Sequence, residues 1–228
     1  MKIKLLSFTH KAEKMCAIAA GLCYSSVSIE KVSKKFLENN EVKKILKKVI
    51  SAGHYSVLEH VSFTFGVEGV SRSLLAQFTR HRIASFSVQS QRYVRFRDSI
   101  EFIIPETIKK NKLLLKKYNS TLESVESLYK GLLDAGISAE DARYILPNAS
   151  PTKLMVTMNA RELRHFFSLR CCNKSQKEIR YVACCMLNFA KKKAPLLFCN
   201  AGPECVRGDC REASSCGSPW GKVLIESL

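Results

Sequence analysis

Apolar residues recur along the chain at two spacings, and each spacing predicts one type of element. Apolar side chains three and four residues apart predict a helix over about 41–52, which Gly53 ends because glycine readily takes a left-handed conformation. Ser56 and Glu59 form a capping-box pattern that predicts a short helical turn. Alternating apolar and polar residues over 61–67 then predict a strand that is buried on one face.

Two helices are predicted in the middle of the chain. Ser71 is the expected cap of a helix that ends near Arg80, and residues 83–91 after it lack a helical period, which predicts a serine-rich loop or strand. Apolar residues at steps of three and four predict a long helix between Pro105 and Gly136. We expect this helix to pack against a partner along its whole length.

The last third of the chain predicts a strand followed by two helices. Alternation over 154–158 predicts the strand, and Asn159 with a glutamate three residues later predicts a helix that starts directly after it. Arg161 and His165, four residues apart, share one face of that helix. A final helix is predicted to start at Ser175, with Glu178 as its capping partner, and to end before proline 195.

Composition fits a globular protein of one domain, or of one domain with an appendage. The 228 residues are 46% hydrophobic and 25% charged, which excludes disordered and fibrous classes. No stretch approaches the ~20 apolar residues of a membrane span, and the first residues turn polar too soon for a signal peptide. We therefore expect a cytoplasmic protein without a membrane partner, whose ten cysteines are reduced.

The positive charge points to an anionic ligand. Lys and Arg number 37 against 20 Asp and Glu, a net charge of +17. The lysines recur opposite apolar stripes and indicate a solvated face, whereas five arginines lie between Arg80 and Arg97 with no acid among them. Because a guanidinium grips phosphate or carboxylate through two parallel hydrogen bonds, we expect an anion from outside the protein.

The most unusual string runs from Gln77 to Tyr93. It contains Arg80-His81-Arg82 and, seven residues later, Ser90-Gln91-Arg92. Two arginines around a histidine suit a diphosphate or carboxylate, and a hydroxyl beside a guanidinium suits a monophosphate. The residue types alone predict a phosphorylated ligand, and an arginine-rich surface loop is the alternative.

This string resembles the signature of flavin-dependent thymidylate synthases. Three further strings support the resemblance in the family's order and approximate spacing: His54-Tyr55-Ser56-Val57-Leu58-Glu59-His60, Ala142-Arg143-Tyr144-Ile145-Leu146-Pro147, and Asn159-Ala160-Arg161 with Leu169-Arg170. The resemblance covers about residues 1–198 and leaves 199–228 as a cysteine-rich C-terminal extension.

The resemblance implies reductive methylation of dUMP to dTMP. Methylenetetrahydrofolate would supply the one-carbon unit, and NADPH would supply reducing equivalents through FAD. It also implies an α/β (α+β) fold with a central, mostly antiparallel sheet flanked by long helices. The family assembles as a homotetramer with active sites between subunits, and no nucleic-acid partner is expected.

The resemblance also assigns site residues, position by position. Those implied to bind the flavin, or to line its folate side, are His54, Ser56, Glu59, Arg80, His81, Arg82, Asn159, Arg161 and His165. Those implied to hold dUMP are Gln77, Arg80, Ser90, Gln91, Arg92, Arg143 and Arg170. Arg170 is expected to stabilise the negative charge that builds on the uracil ring, and Ser90 to position phosphate and pyrimidine without attacking as a nucleophile. No metal is expected in this machinery.

Two positions depart from the commonest family pattern. Val88 stands where many members carry Glu, and His165 where many carry Asn. A valine side chain makes no hydrogen bond, whereas a histidine still donates from a ring nitrogen. We expect activity to survive both departures.

The extension lies outside the family's signature. Its thiols Cys199, Cys205, Cys210 and Cys216 lack the two-residue knuckle typical of zinc sites, so a loosely ordered segment docked by Pro219-Trp220 is favoured over a metal site. Cys171-Cys172 and Cys184-Cys185 are expected to be small, partly buried hydrophobes.

Two other functions stay open at this point. The charge and the aromatic residues among the arginines are also typical of a basic nucleic-acid-binding module, which would bind no flavin. A nucleotide-binding protein that has lost catalysis would keep FAD and dUMP and show no dUMP-dependent oxidation of NADPH.

Overall fold

The computed structural model of the protein describes residues 1–38, 41–208 and 210–217. Four strands form one antiparallel sheet in the order β1-β2-β4-β3. The strands are β1 Lys2–Phe8, β2 Ser62–Ser71, β3 Ala84–Val88 and β4 Pro151–Asn159. The expectation of a mixed fold with a mostly antiparallel sheet is therefore confirmed.

The described residues also contain nine α-helices and three 3-10 turns. The helices are α1 Ala12–Leu22, α2 Ile29–Glu38, α3 Val42–Ser51, α4 Arg72–Phe78, α5 Glu106–Lys109, α6 Lys112–Asp134, α7 Ala139–Ala142, α8 Ala160–Arg170 and α9 Lys177–Lys193. The 3-10 turns are Tyr55–His60, Arg143–Ile145 and Glu204–Val206. Within this part of the chain, no helix is long and apolar enough to cross a membrane.

The chain divides into two compact units. The first unit contains Met1–Lys2, Val67–Arg80 and Phe86–Met155, and the second contains Ile3–Gly66, His81–Ser85 and the described residues from Val156 onward. The division into a domain 1–198 and an extension 199–228 stays a prediction.

The first unit packs around the middle of α6. Tyr129 and Ala142 are fully buried there together with Ile100, and the Tyr129 hydroxyl accepts a hydrogen bond from the backbone N–H of Phe96 at 3.4 Å. The start of α4 in this unit is the predicted one: Ser71 Oγ accepts from the N–H of Leu74 at 3.0 Å and caps the helix.

The second unit packs α1 on α2 and α3, and α8 on α9 and on the 3-10 turn Tyr55–His60. Its core contains an aromatic cluster in which Phe198 meets Phe63 and Phe167 edge to face, with ring centroids 5.4 and 6.0 Å apart. Cys171 and Cys184 are buried in this unit, as their interpretation as small hydrophobes predicted.

Several sequence predictions need correction. Of the two alternatives predicted for residues 83–91, a loop or a strand, the structure has the strand β3, whereas the strand predicted over 61–67 continues to Ser71. The turn predicted at Ser56 starts one residue earlier and has no side-chain cap. The last helix is capped by Gln176, whose Oε1 accepts from the N–H of Ile179, because the Ser175 hydroxyl instead donates to the carbonyl of Leu169 at 2.7 Å.

Candidate active site

Helix α8 and the strand before it position one half of the implied site. Asn159 ends β4 and caps α8, because its Oδ1 accepts from the N–H of Glu162 at 2.8 Å. The helix then places Arg161 and His165 on one face, as their spacing predicted, and Arg170 at its last position.

This face borders a cavity of about 680 Å³ in the second unit. Four residues that the resemblance assigned to the flavin line it: Glu59, Asn159, Arg161 and His165. The residues that the sequence analysis did not assign are Tyr55, Ile83, Glu162, Arg164, Ser168, Glu204, Arg207 and Arg211. The cavity therefore combines charged and polar groups with apolar surface.

Arg161 is held by an acid from the 3-10 turn. Its Nη1 donates to Glu59 Oε1 at 2.5 Å, and both side chains are about half exposed at the cavity. The pair holds the guanidinium at the cavity without burying an uncompensated charge.

Next to the cavity, His81 forms hydrogen bonds with both Glu162 and Arg170. Its ring is almost completely buried, with Nδ1 at 3.1 Å from Glu162 Oε1 and Nε2 accepting from Arg170 Nε at 3.2 Å. Since Arg170 has only N–H donors, the acceptor pattern assigns the ring proton to Nδ1, which donates to Glu162. Burial, then the charges of Arg170 and His165, lower the pKa of His81 to about 4, so the imidazole is neutral near pH 7 and its contact with Glu162 is a hydrogen bond.

Burial also shifts the pKa of Glu162. Removal from solvent raises the pKa of its carboxyl, and the nearby His165 lowers that pKa by a smaller amount. Glu162, His81 and Arg170 thus form one hydrogen-bonded chain that fixes the orientation of the Arg170 guanidinium.

Arg164 joins α8 to two other segments. Its guanidinium is buried, donates to the Leu197 carbonyl and to Asn200 Oδ1 at 2.7 Å each, and lies over the Tyr55 ring at 4.9 Å from the centroid. Its Nε is buried without a hydrogen-bond partner among the described residues. Burial lowers the pKa of Arg164.

Most of the residues implied to hold dUMP lie in the first unit, and they make contacts there. Gln77 Nε2 donates to the Ser73 carbonyl at 3.3 Å, and Ser90 Oγ accepts from the N–H of Arg92 at 3.2 Å. The Nε2 of Gln91 is buried and has no hydrogen-bond partner in the described part of the chain.

Two arginines of this group share one acid. Arg92 Nε donates to a carboxylate oxygen of Glu140, and Arg143 Nε donates to the Glu140 backbone carbonyl at 3.0 Å. No acid lies among the arginines between 80 and 97, as the sequence analysis noted, but Arg92 pairs with Glu140, which is distant in sequence. Burial and the charge of Arg143 together lower the pKa of Arg72, which the sequence analysis did not single out.

The remaining implied residues are placed as follows. His54, Ser56 and Arg82 are exposed residues of the second unit that do not line the cavity, and Arg80 is an exposed residue of the first unit. Val88 is partly buried at the end of β3.

The cysteines of the extension do not converge. None of the ten cysteines forms a disulfide, and no group of three or more His, Cys, Asp or Glu in the described residues is arranged to hold a metal ion. The predicted docking by Pro219-Trp220 falls outside the described residues.

Comparison with known proteins identifies relatives of the whole chain. A family model described as thymidylate synthase complementing protein matches residues 4–196. A flavin-dependent thymidylate synthase of Geobacter sulfurreducens is 49% identical over 219 residues, covering 95% of this chain and 94% of the relative. Enzymes of the same name from Clostridium tetani and Pyrococcus furiosus are 46% and 41% identical, covering 95% and 93% of this chain and 93% and 90% of theirs. A match to 95% of the chain includes part of the segment after residue 196, where the family model ends.

Proposed function

The chain belongs to the flavin-dependent thymidylate synthase family, and on this premise we propose that its two clusters of polar side chains bind FAD and dUMP. The protein is an enzyme that converts dUMP to dTMP by reductive methylation with FAD as its cofactor. Methylenetetrahydrofolate is the one-carbon donor and NADPH the reductant in this proposal.

The cavity in the second unit carries the proposal for FAD. Its volume of about 680 Å³ lies within the range of roughly 300–1,000 Å³ that cofactor pockets occupy. Asn159, Arg161 and Arg164 offer donors, and the Nε of Arg164 is already buried without an acceptor. Tyr55 and Ile83 offer the apolar surface on which a planar ring system packs. The residues present therefore fit a flavin nucleotide.

FAD, when bound, supplies the hydride chemistry, and the protein supplies binding, orientation and electrostatics. Arg161, held by Glu59, would contact the cofactor, and Asn159 would do so from the start of α8. His165 would contact the cofactor through a ring N–H where many family members offer an amide.

Arg170 is the proposed catalytic residue. Negative charge builds on the uracil ring during attack by its C5 atom, and a fixed guanidinium stabilises that charge best where little water competes. His81 fixes Arg170 by accepting from its Nε, and Glu162 in turn fixes the tautomer of His81. His81 and Glu162 are positioning residues in this account.

The first unit is the proposed source of the dUMP contacts other than that of Arg170. Ser90 and Arg143 are the expected phosphate and pyrimidine ligands, and the unpartnered amide of Gln91 supports a ligand that offers it an acceptor. Arg92 is a further proposed dUMP ligand. The nucleotide would compete for its guanidinium with Glu140, which pairs with Arg92 in this structure.

Assembly as a homotetramer is also part of the proposal. It is supported by large apolar side chains of α6 that are more than half exposed within one chain, namely Leu113, Leu114 and Leu128. A cytoplasmic location is also proposed, and ten cysteines without a disulfide support it.

The visible absorption spectrum tests the cofactor assignment. We expect protein that has been mixed with FAD and freed of excess ligand to retain flavin bands, at about one flavin per chain, and to release them to the supernatant on heat denaturation. Protein that retains no flavin would contradict the proposal and favour a different anion for the arginines. Arg161→Gln is the variant expected to retain less flavin, and Lys47→Gln, on an exposed face of α3, is its control.

A further inference from the structure

We propose that Arg207 and Arg211, in the C-terminal segment beyond the family signature, form a second anion-binding wall of the cavity. The C-terminal segment is defined as residues 199–208 and 210–217. Both arginines line the cavity together with Arg161 and His165. The inference rests on the proposed function, because the ligand of the cavity is taken from it.

The beginning of the C-terminal segment is anchored by Arg164. This buried guanidinium donates to the Leu197 carbonyl and to Asn200 Oδ1 while it lies over the Tyr55 ring. Hydrogen bonds from a charged donor in a buried place are strong and directional. Asn200 in turn accepts from Arg207 Nη1 through its carbonyl at 3.3 Å. Asn200 thus connects Arg164 of α8 directly to Arg207, the residue proposed to bind the anion.

The end of the C-terminal segment is held as well. Lys174 Nζ contacts Ser214 Oγ at 2.9 Å, and Asn173 Nδ2 donates to Cys216 Sγ at 3.7 Å. Both contacts come from the turn between α8 and α9. A segment fixed near both ends presents the side chains between them in a defined place, which a binding site requires.

Charge counting shows why this wall attracts an anion. Glu204 is the only acid that pairs with these two arginines among the described residues: its Oε1 accepts from Arg207 Nη2 at 2.9 Å, and its Oε2 lies 4.0 Å from Arg211 Nε. Within the described residues, one carboxylate thus faces two guanidinium groups, so these three side chains together carry one net positive charge. Arg161, in the same cavity, is already paired with Glu59.

The two arginines differ in how they are held. The Arg207 side chain is 24% exposed and fixed by two acceptors, whereas that of Arg211 is 85% exposed. Arg207 therefore supplies a preorganised donor, and Arg211 retains the freedom to close on a ligand. A planar guanidinium fork matches phosphate and carboxylate oxygens, so the ligand group is an oxyanion of one of these two kinds.

Apart from the phosphate of dUMP, which is assigned to the first unit, and the diphosphate that NADPH shares with NADH, the reaction components offer three such groups. They are the diphosphate of FAD, the 2′-phosphate of NADPH and the glutamate carboxylates of the folate. If the two arginines bind the FAD diphosphate, the Kd of FAD depends on them. If they bind the 2′-phosphate, the preference for NADPH over NADH depends on them. If they bind the glutamate carboxylates, the preference for polyglutamylated over monoglutamylated folate does.

The test compares wild-type protein with the double variant Arg207→Gln/Arg211→Gln. We expect at least one of the three quantities to change by on the order of tenfold, the usual effect of losing a hydrogen bond to a charged group. The quantity that changes identifies the oxyanion. The control is Lys47→Gln/Lys48→Gln, which removes the same charge from an exposed face of α3 in the same unit and should change each quantity less than about twofold.

The single variant Arg211→Gln is measured as well, because its side chain is largely exposed and its loss should not disturb folding. It should show a smaller change in the same quantity as the double variant. The proposal is overturned if all three quantities stay at wild-type values in the double variant, or if the lysine control changes them equally. Wild-type protein that neither binds FAD nor forms dTMP would instead refute the proposed function.

Discussion

At the scale of single residues, the chain uses one buried histidine to hold its proposed catalytic arginine. His81 stands between Glu162 and Arg170 and is neutral, because burial and the nearby Arg170 lower its pKa to about 4. A neutral ring is needed for this arrangement, since a protonated imidazole has no lone pair with which to accept from Arg170 Nε. The histidine of the Arg80-His81-Arg82 string therefore has a positioning role in this structure.

Replacement of Arg170 separates chemistry from binding. We expect Arg170→Ala to retain FAD and to lose turnover by roughly 100-fold or more, the usual effect of removing a donor that stabilises developing charge. Single-turnover formation of dTMP on FAD-loaded protein is the measurement. Unchanged turnover would remove Arg170 from its role.

His81 predicts a pH dependence of stability. The unfolded histidine binds a proton near pH 6.5, whereas the folded one does so near pH 4. Between these values the unfolded state holds more protons, so the free energy of unfolding falls as pH decreases from about 6.5 to 4, by up to about 3 kcal/mol. Urea unfolding of wild type and His81→Gln at pH 7 and 4.5 measures this: the stability difference between them should shrink at pH 4.5.

Glu162 acts in the opposite direction, because its raised pKa makes the folded state hold a proton longer as pH rises. The comparison with His81→Gln is therefore needed to isolate the histidine. Glutamine keeps an acceptor that can reach Arg170, so this variant should retain more turnover than His81→Ala. If the free energies of unfolding of wild type and His81→Gln change in parallel with pH, the histidine is not buried in its neutral form.

At the scale of elements, α8 connects the sheet to the site. It starts directly after β4 because Asn159 ends the strand and caps the helix with one side chain. Its exposed face lines the cavity through Arg161 and His165, and its last residue is Arg170. A change at the start of this helix should therefore affect both stability and cofactor binding.

Substitution of Asn159 tests that coupling. Asn159→Ala should lower the free energy of unfolding by about 1 kcal/mol and weaken FAD binding, because it removes a helix cap and a donor at the cavity. Asn159→Asp keeps the cap and should retain stability. Asn111→Ala, which removes the cap of α6, is the control: it should lower stability with no effect on the Kd of FAD. Equal FAD affinity in wild type and Asn159→Ala would exclude Asn159 from the cofactor site.

The sequence predicted those parts of the fold that depend on local interactions. The caps at Ser71 and Asn159 and the end of a helix at Gly53 were predicted because a cap or a left-handed glycine acts within a few residues. The predicted start of α9 was wrong because the Ser175 hydroxyl donates to the Leu169 carbonyl, a contact that follows from packing. Arg164 and Arg207 were missed for the same reason, since their partners depend on how distant segments fold together.

At the scale of the whole molecule, a single chain leaves apolar side chains on α6 uncovered. Leu122 and Tyr129 of this helix are buried, and the other apolar residues of its predicted stripe are partly buried, but three leucines outside the stripe are exposed. Contacts within the first unit therefore do not account for Leu113, Leu114 and Leu128, and association with further copies of the chain would bury them.

Light scattering after size-exclusion chromatography tests this association. Wild-type protein at micromolar concentration should elute as a tetramer of the 25.7 kDa chain, and Leu114→Glu/Leu128→Glu should shift it to smaller species. Lys116→Glu, on the same helix, controls for the added negative charge. A wild-type protein that is monomeric at these concentrations would contradict the proposed assembly.

Formation of dTMP is the most direct test of the central claim. Purified protein loaded with FAD is given dUMP, methylenetetrahydrofolate and NADPH, and the nucleotide products are separated and quantified. The account predicts dTMP in amounts that exceed the enzyme, with NADPH oxidised only when dUMP is present, and loss of both when FAD is omitted. FAD-loaded, folded protein that forms no dTMP would contradict it.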